Sequence, residues 1–566
     1  MENPRVILLA ALLGLLVALP SLKSGYFLDD YFQRTVVLTH ADASPFYAYR
    51  MGDPQTDAKI ESGILPWWTH PDAKLVFFRP IAEGLMRLDY RLWPDSTALM
   101  HLHSIAWYVV LVAIAGFVYA RFMPSAMAVG LAAIMFAVDY GHGGAVAWLA
   151  DRNALVAMTG SMLALLCYTR ERWSWLLLGC LFFAVTLGCA EAALAVTGYF
   201  FSYEVFLSKR PWSQRILRLL PYALVSVIWL VLWHLRDYGS AGPSFYTDPF
   251  SDPVDFLQNV IYRIPAILFS QLSKFPAEIL GVFEGSPGHY PMLVLLLLGC
   301  GVFIRFLWPL IVSSPQAGFF ALGMCIAALP ICGVQLVTRS LFYVSFGATG
   351  LLALWLGRYL SAQEPPSNAV KGFAVVMLVL HFLVNPVFFV GSELAMPILD
   401  GFVDSRKINL PNNDGVDKKL LVLSLDNYQR SIFFPMTKDK GLSLGADPVR
   451  PKPSIERVMA LVSGTGEFDL TRKDDNTLVT RSRDGFEKMR TGKYGFNRGD
   501  VVRLEDVTIT IRNVNANRAA TEIEYQFKPG ILQHYTVVTW HGKQFEPATL
   551  PAVGTTDTVN APAGAS

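Results

Sequence analysis

Phe27-Leu28-Asp29-Asp30-Tyr31-Phe32 follows closely on the first long apolar run of the chain. Two adjacent carboxylates, bracketed by aromatics, stand where a membrane helix should leave the bilayer. Aspartate is costly in hydrocarbon and is kept there only where it faces water, a partner or a site. On the bland reading Asp29 and Asp30 are solvated residues at a helix end. On the functional reading they are the acids of an active site at the membrane surface. What surrounds them in the rest of the sequence decides between the two.

Of the 566 residues, 53% are hydrophobic and only 16% charged. Soluble domains carry roughly 25% charged residues, so this is a membrane composition. Long apolar runs fill the chain to about Val390, and charged residues crowd the part after it. The net charge of +2 shows no basic surplus of the kind that binds nucleic acid. The cysteines Cys167, Cys180, Cys189, Cys300, Cys325 and Cys332 all lie in apolar segments, without CxxC or Cys/His zinc spacing.

A spanning helix needs roughly 20 apolar residues. About eleven segments qualify on a generous reading, near 5–21, 104–121, 124–140, 145–168, 173–188, 191–207, 219–235, 291–308, 317–337, 340–357 and 370–391. Segments 173–188 and 191–207 are close enough to be one long bent helix. The run from Val6 to Pro20 after Arg5 is expected to be an uncleaved first helix rather than a signal peptide, since many spans follow. Basic residues in short loops (Arg121, Arg170, Arg172, Lys209, Arg210, Arg215, Arg218, Arg305, Arg358, Lys371) place those loops and the N-terminus in the cytoplasm. An odd number of spans then puts the C-terminal part outside.

The expected organisation is a membrane domain over residues 1–391, with outer loops 22–103 and 236–290. A soluble extracytoplasmic domain of α/β or mostly-β character follows over 392–550, and then a disordered tail over 551–566. The first loop carries Pro66-Trp67-Trp68 and an amphipathic stretch from Leu75 to Trp93 suited to the interface. In the soluble part, Leu420 to Leu425, Val507 to Ile511, Thr521 to Phe527 and Tyr535 to Trp540 read as strands, and Ser454 to Val462 as a short capped helix. Its Tyr525, Tyr535 and Trp540 suit either β-core packing or sugar stacking. No fixed-period repeat, GxSxG, P-loop or HExxH motif is present.

Polar clusters fall at the outer ends of the apolar segments, on the side of Asp29 and Asp30. They are Phe77-Phe78-Arg79-Pro80 with His101 and His103; Asp139-Tyr140-Gly141-His142 with Trp148, Asp151 and Arg152; Glu191; and Arg339 with Phe342, Tyr343, Ser345 and Gly347. An arginine as deep as Arg152 needs a partner from another helix or a bound anion. For each cluster the bland alternative is snorkelling or an internal ion pair. Arg79, Arg152 and Arg339 together suit a phosphate, which guanidinium binds through bidentate charge-assisted hydrogen bonds.

These clusters, in this order, resemble the GT-C superfamily of polytopic glycosyltransferases. Within it they are most similar to protein O-mannosyltransferase relatives and the transmembrane tetratricopeptide-repeat mannosyltransferases, here without the repeats. The likeness covers roughly residues 1–360. It rests on Asp29 and Asp30 after the first helix, Arg79-Pro80, His101 or His103, His142 with Ala145-Val146 and Arg152, Glu191, and Arg339 with Phe342, Tyr343, Ser345 and Gly347. The chain departs from the family pattern at Asp139, Gly144, Asp151 and Ala190, where the family has a His, an acid, a Gly and a Lys.

The resemblance implies transfer of a sugar from a polyprenyl-phosphate carrier to a protein, lipid or glycan acceptor on the outer, periplasmic face, with inversion at the anomeric carbon. Asp29 or Asp30 would be the general base. Arg79, His103, His142, Arg152, Glu191, Arg339 and Tyr343 would bind donor or phosphate. A divalent cation held by Asp29, Asp30 and His142 is compatible with the pattern but not required by it. The competing classes are a lipid-linked glycan transporter, and an assembly protein of the same fold without activity. The expected location is a bacterial inner membrane, since no retention signal of the endoplasmic reticulum ends the sequence.

Overall fold

The computed structural model describes residues 4–39, 43–242, 246–403, 419–425, 457–464, 466–541 and 544–561. The chain divides into two compact units. One comprises Met1–Asp30, Phe77–Gly239 and Phe245–Pro397, and the other Tyr31–Val76, Ser240–Ser244 and Ile398–Ser566. This differs from the organisation expected from hydropathy. Residues 31–76 of the first outer loop group with the C-terminal strands, because Trp67 and Trp68 are buried there and the Trp67 indole donates to Ala460 O at 3.0 Å. Hydropathy sees such a loop as polar and cannot say what its tryptophans cover.

The first unit is helical and membrane-spanning. Its long apolar helices are Pro4–Lys23, Thr97–Phe122, Trp212–Leu235, His289–Ser313 and Asn368–Leu399; Ala126–Ala137 and Tyr140–Ala147 add a pair bent by 42°. The shorter helices Trp173–Leu187 and Pro315–Ile331 are also apolar. All eleven segments expected from sequence overlap helices, but only those named first have the length and hydropathy of a simple span. Packing is sorted by size rather than by polarity. On Pro4–Ala18, Leu8, Leu9, Leu12 and Leu16 face outward while Ile7, Ala10, Ala11, Gly14 and Ala18 face the bundle. Small inward residues let backbones approach where lipid is as apolar as leucine. A Cβ on Gly14 would lie 3.4 Å from Val112 and 3.5 Å from Tyr108.

Two local expectations are corrected here, and one open alternative is decided. Residues 145–168 do not form one helix: Trp148 is extended (φ −121°, ψ 115°), and a 3-10 turn, Leu149–Asp151, precedes the helix Arg152–Tyr168. Residues 173–188 and 191–207 are separate, divided by a break and the 3-10 turn Glu191–Val196. Residues 236–290 are not simply a loop, for they contain the helices Pro253–Ser273 and Ala277–Gly281. Asp255, Gln258, Asn259, Arg263 and Pro265 interrupt the apolar pattern of Pro253–Ser273, and so hide it from a hydropathy window. The amphipathic stretch is the helix Pro80–Leu92, with Ile81, Leu88 and Leu92 exposed on one stripe and Ala82, Asp89 and Tyr90 buried.

The second unit is β-rich. Its antiparallel sheet runs in the order Thr556–Ala561, Gly466–Arg472, Thr477–Arg481, Ala520–Phe527, Val507–Val514, Val501–Arg503. A second sheet runs Gln544–Pro547, Tyr535–His541, Lys419–Leu425, Arg457–Ser463, the last three strands being parallel. The stretch read as a capped helix near Ser454 to Val462 is instead the strand Arg457–Ser463. All seven of its residues are buried, so it shows no alternation to betray a strand. The segment after Pro551, expected to lack order, supplies the edge strand Thr556–Ala561. Tyr525, Tyr535 and Trp540 are 0%, 6% and 2% exposed and belong to the core, not to a sugar-stacking face.

Candidate active site

The turn that delivers the two aspartates is strained. The helix Asp29–Thr39 begins on them, and Leu28 just before has φ of 40°, a left-handed value that a leucine rarely adopts. Asp30 fastens that turn. Its Oδ2 accepts the Phe27 N–H at 2.9 Å and its Oδ1 the Ala150 N–H at 2.7 Å, while its own N–H donates to Phe27 O at 3.0 Å. It is 1% exposed, and burial pushes its pKa well up against those two hydrogen bonds. Both its oxygens are thus committed to backbone.

Asp29 has an open face toward solvent, with protein crowding its other sides. That crowding raises its pKa; Arg339 opposes, Asp151 adds to the rise, and Arg79 opposes again. These neighbours define a cleft. Arg339 lies 3.5 Å from Asp151 Oδ2 and stacks 4.4 Å above the Trp148 ring. Trp148 in turn donates to Phe27 O at 3.0 Å and packs edge-on against the Phe27 ring, so one indole carries Arg339 and braces the Asp29 turn. On the other side, Arg79 Nε and Nη2 reach Glu191 Oε2 at 2.9 and 2.8 Å, and its guanidinium lies 4.2 Å over Phe77. Tyr246 packs edge-on to Phe77, and its phenol, raised in pKa by burial, senses Arg79, Arg339, Asp29 and Glu191.

Five charged groups therefore meet in an aromatic-walled cleft: Asp29, Asp151 and Glu191 against Arg79 and Arg339. Glu191 Oε1 is buried and accepts no hydrogen bond among the described residues, and Asp151 Oδ2 has Arg339 at 3.5 Å as its ion-pair partner. Fixed guanidinium groups beside an open carboxylate suit a reaction in which an anion grows while a proton is taken up.

The remaining residues singled out from sequence lie elsewhere. Arg152 is an internal ion-pair partner. It pairs with Asp89 of the helix Pro80–Leu92, donates from Nε to Ser104 Oγ at 2.8 Å, and from Nη2 to Met100 O at 2.7 Å. His103 Nδ1 lies 2.7 Å from Asp89 Oδ1. Trp107 Nε1 can only donate, and it does so to His103 Nε2 at 3.0 Å, which leaves the imidazole proton on Nδ1 facing the carboxylate. His101 Nε2 meets Gly25 O at 2.8 Å. His142 is 0% exposed, stacked 4.3 Å from Phe342 and 3.3 Å from the Tyr108 hydroxyl. Tyr343 bonds Ser161 at 2.9 Å inside the bundle. Asp29, Asp30 and His142 are consequently not brought together as metal ligands, and among the described residues no group of three or more His, Cys, Asp or Glu side chains is placed to hold a metal ion.

Sequence reasoning did not assign Asp151, Tyr246 or Phe77 to the cleft, or Asp89 as the partner of Arg152. Asp89 carried a signal: it is an acid on an amphipathic helix, off the exposed Ile81–Leu88–Leu92 stripe. Asp139, which stands where the related pattern has a histidine, is also paired inside. It accepts Lys274 and Gln271 at 2.7 Å each and Ser345 at 2.6 Å. Lys274 and Gln271 belong to the segment expected to be an outer loop.

No family model matches the chain. No curated protein matches it either. Among solved structures it is similar to ArnT from Cupriavidus metallidurans bound to undecaprenyl phosphate, with 13% identity over 75% of this chain and 84% of that one, at a TM-score of 0.38. It is also similar to the Archaeoglobus fulgidus oligosaccharyltransferase tethered with an acceptor peptide, with 12% identity over 76% and 62% and a TM-score of 0.33. The same enzyme in complex with Zn and sulfate gives 13%, 76%, 61% and 0.35. Likenesses at this level do not assign the chain to a family.

Proposed function

We propose that the protein is a membrane glycosyltransferase of GT-C type. On this reading it moves a sugar from a polyprenyl-phosphate carrier to an acceptor hydroxyl at the outer membrane surface. The observation that carries the reading is the meeting of one open carboxylate, Asp29, with two stacked guanidinium groups, Arg79 and Arg339, at the end of a bundle of apolar helices.

The chemistry that fits this set is a single displacement. The acceptor oxygen attacks the anomeric carbon while its proton passes to Asp29. The bond from that carbon to the phosphate oxygen breaks, and its electron pair leaves with the phosphate. The carrier changes from a singly charged diester to a monoester with one more negative charge, and Asp29 changes from carboxylate to acid. Negative charge thus moves from Asp29 onto the phosphate, toward the arginines. Donors fixed where charge develops favour the transition state over the ground state, and each is worth roughly 10²–10³ in rate. The raised pKa of Asp29 makes it a better proton acceptor than an ordinary surface aspartate. Glu191 and Asp151 hold the two guanidinium groups beside Asp29. The N-terminus is taken as cytoplasmic and the cleft as periplasmic, from the loop charges.

The test is sugar release from a panel of synthetic polyprenyl-phosphate sugars by the purified protein in lipid. Wild type should turn over at least one of them, and Asp29→Asn should bind the carrier without turnover. Full activity in Asp29→Asn would remove the assigned base. Absence of turnover on every carrier and acceptor would favour a transporter or an inactive relative.

A further inference from the structure

Resting on that reading, we infer that the buried Asp89–Arg152–His103 cluster is a positioning device that holds the helix Pro80–Leu92, and with it Arg79, in register with the Asp29–Asp151 side of the cleft. Arg79 is the residue from which this helix starts, with Pro80 at its first turn. The stripe Ile81–Leu88–Leu92 faces outward, so apolar packing grips the helix on one side only. Its start is tied by the Ile81 N–H to Gly188 O at 3.0 Å, close in sequence to Glu191, the acid that Arg79 grips. Its far end is tied by Asp89, 2% exposed, which takes Arg152 and His103 together.

Arg152 is well suited to such a role. It is 5% exposed and bonds the helix Thr97–Phe122 at Met100 O and Ser104 Oγ. It also opens its own helix directly after Asp151, the acid beside Arg339. Two residues earlier, the Ala150 N–H is held by Asp30. One side chain therefore joins the element carrying Arg79 to the elements carrying Asp29, Asp151 and Arg339. The rotation and slide of a one-sided surface helix are fixed by a buried charge pair of defined geometry, which apolar contacts alone would leave loose. The three are paired with one another rather than with the charged groups around Asp29, so they act through Arg79.

A double-mutant cycle with a structural readout separates this from simple support of the fold. Binding of a polyprenyl monophosphate in lipid nanodiscs, and hydrogen–deuterium exchange of Pro80–Leu92, are measured for wild type, Arg79→Ala, Asp89→Asn and the double variant. Asp89→Asn should raise exchange in Pro80–Leu92 at least tenfold, with little change in Trp212–Leu235. It should weaken carrier binding about as much as Arg79→Ala, and the double variant should bind no worse than Arg79→Ala alone. Arg79→Ala should leave the exchange unchanged. Where Asp89→Asn fails to fold, because Arg152 is left as an unpaired buried charge, Asp89→Asn/Arg152→Gln removes both charges and should fold with the same two defects. Wild-type exchange, wild-type binding in the neutral pair, or losses that simply add would overturn the inference. If wild type itself binds no carrier, the proposed function falls, and the exchange measurement still decides whether the pair holds the helix.

Discussion

Asp30→Ala and Asp29→Asn should separate two adjacent carboxylates that sequence treats as equivalent. Asp30 accepts two backbone N–H groups at 2.9 and 2.7 Å and is 1% exposed. Truncation strands the Ala150 N–H in a buried place and the Phe27 N–H in a half-buried one. A buried donor left unmet costs about 1–3 kcal/mol, and bonds to a charged acceptor lie at the upper end. The pair therefore costs about 2–5 kcal/mol by the same scale. Release of the left-handed Leu28 offsets about 1 kcal/mol of that, the strain such a conformation stores. A net loss of about 1–4 kcal/mol corresponds to a fall of about 1–3 °C in the apparent midpoint of a protein this large. Heating detergent-solubilised protein and counting the monodisperse fraction by size-exclusion fluorescence measures it. Asp29 faces solvent and caps nothing, so Asp29→Asn should stay within about 0.5 kcal/mol of wild type, as open surface changes do, while transfer falls by about 10²–10⁴. An Asp30→Ala protein as heat-resistant as wild type, or an Asp29→Asn protein that is the less stable of the two, would refute the division of labour.

Arg339→Ala should lower carrier-dependent turnover by roughly 10²–10³, the scale for one lost donor at a developing anion, and Arg339→Lys should recover only part of it because the stack on Trp148 needs a planar cation; single-turnover kinetics reads both. In the β-rich unit, Trp540→Ala should destabilise by about 3–5 kcal/mol, as large core truncations do, without the selective loss of acceptor binding that a sugar platform would show; denaturant unfolding and acceptor titration are compared. Asp506 is buried beside Arg457 and Lys419 at 2.8 Å each, and against burial these cations hold its pKa below the usual carboxylate value. Folded Asp506 therefore binds its proton less readily than unfolded, so its stabilising contribution is present above about pH 4 and is lost as pH falls through the lowered value. Acid unfolding of wild type should be steeper below pH 4 than that of Asp506→Asn, and equal slopes would count against it.

The sequence made the membrane class and several of the elements legible, because hydropathy and alternation are local signals. Lys419–Leu425, Val507–Val514, Ala520–Phe527 and Tyr535–His541 lie within a few residues of the expected strands. Arg457–Ser463 was misread because a strand buried on both faces has the pattern of a buried helix turn. Pro253–Ser273 was missed because polar residues break its apolar run, some of them turned inward, Arg263 to Glu284 and Cys332 O, and Gln271 to Asp139. The candidate site was legible in its endpoints, Asp29, Arg79, Glu191 and Arg339, which share one side of the bundle. Arg152, His103, His142 and Tyr343 were indistinguishable from them in sequence. Which polar residue meets which is set by helix packing over long separations, such as Asp89 with Arg152 or Asp139 with Lys274.

Those separations give a physical rule for sorting polar residues in this chain. A cation buried in the bundle is met by an acid that neutralises it: Arg152 by Asp89, Lys274 by Asp139, Arg218 by Glu204, Arg263 by Glu284. Breaking any such pair leaves a desolvated charge, at about 3–5 kcal/mol, which is reason enough for these residues without any catalysis. The pairs in the cleft differ in what they leave over. Arg339 stays a third exposed and 3.5 Å from its acid, and Asp29 faces solvent. The Arg218–Glu204 pair leaves Glu204 Oε2 unmet, but Glu204 is sealed at 0% exposure, so the mark of a site is charge that solvent, and hence a ligand, can reach. By that criterion Asp29, Arg79, Asp151, Glu191 and Arg339 are the set to mutate for function, and Asp30, Asp89 and Arg152 the set to mutate for architecture.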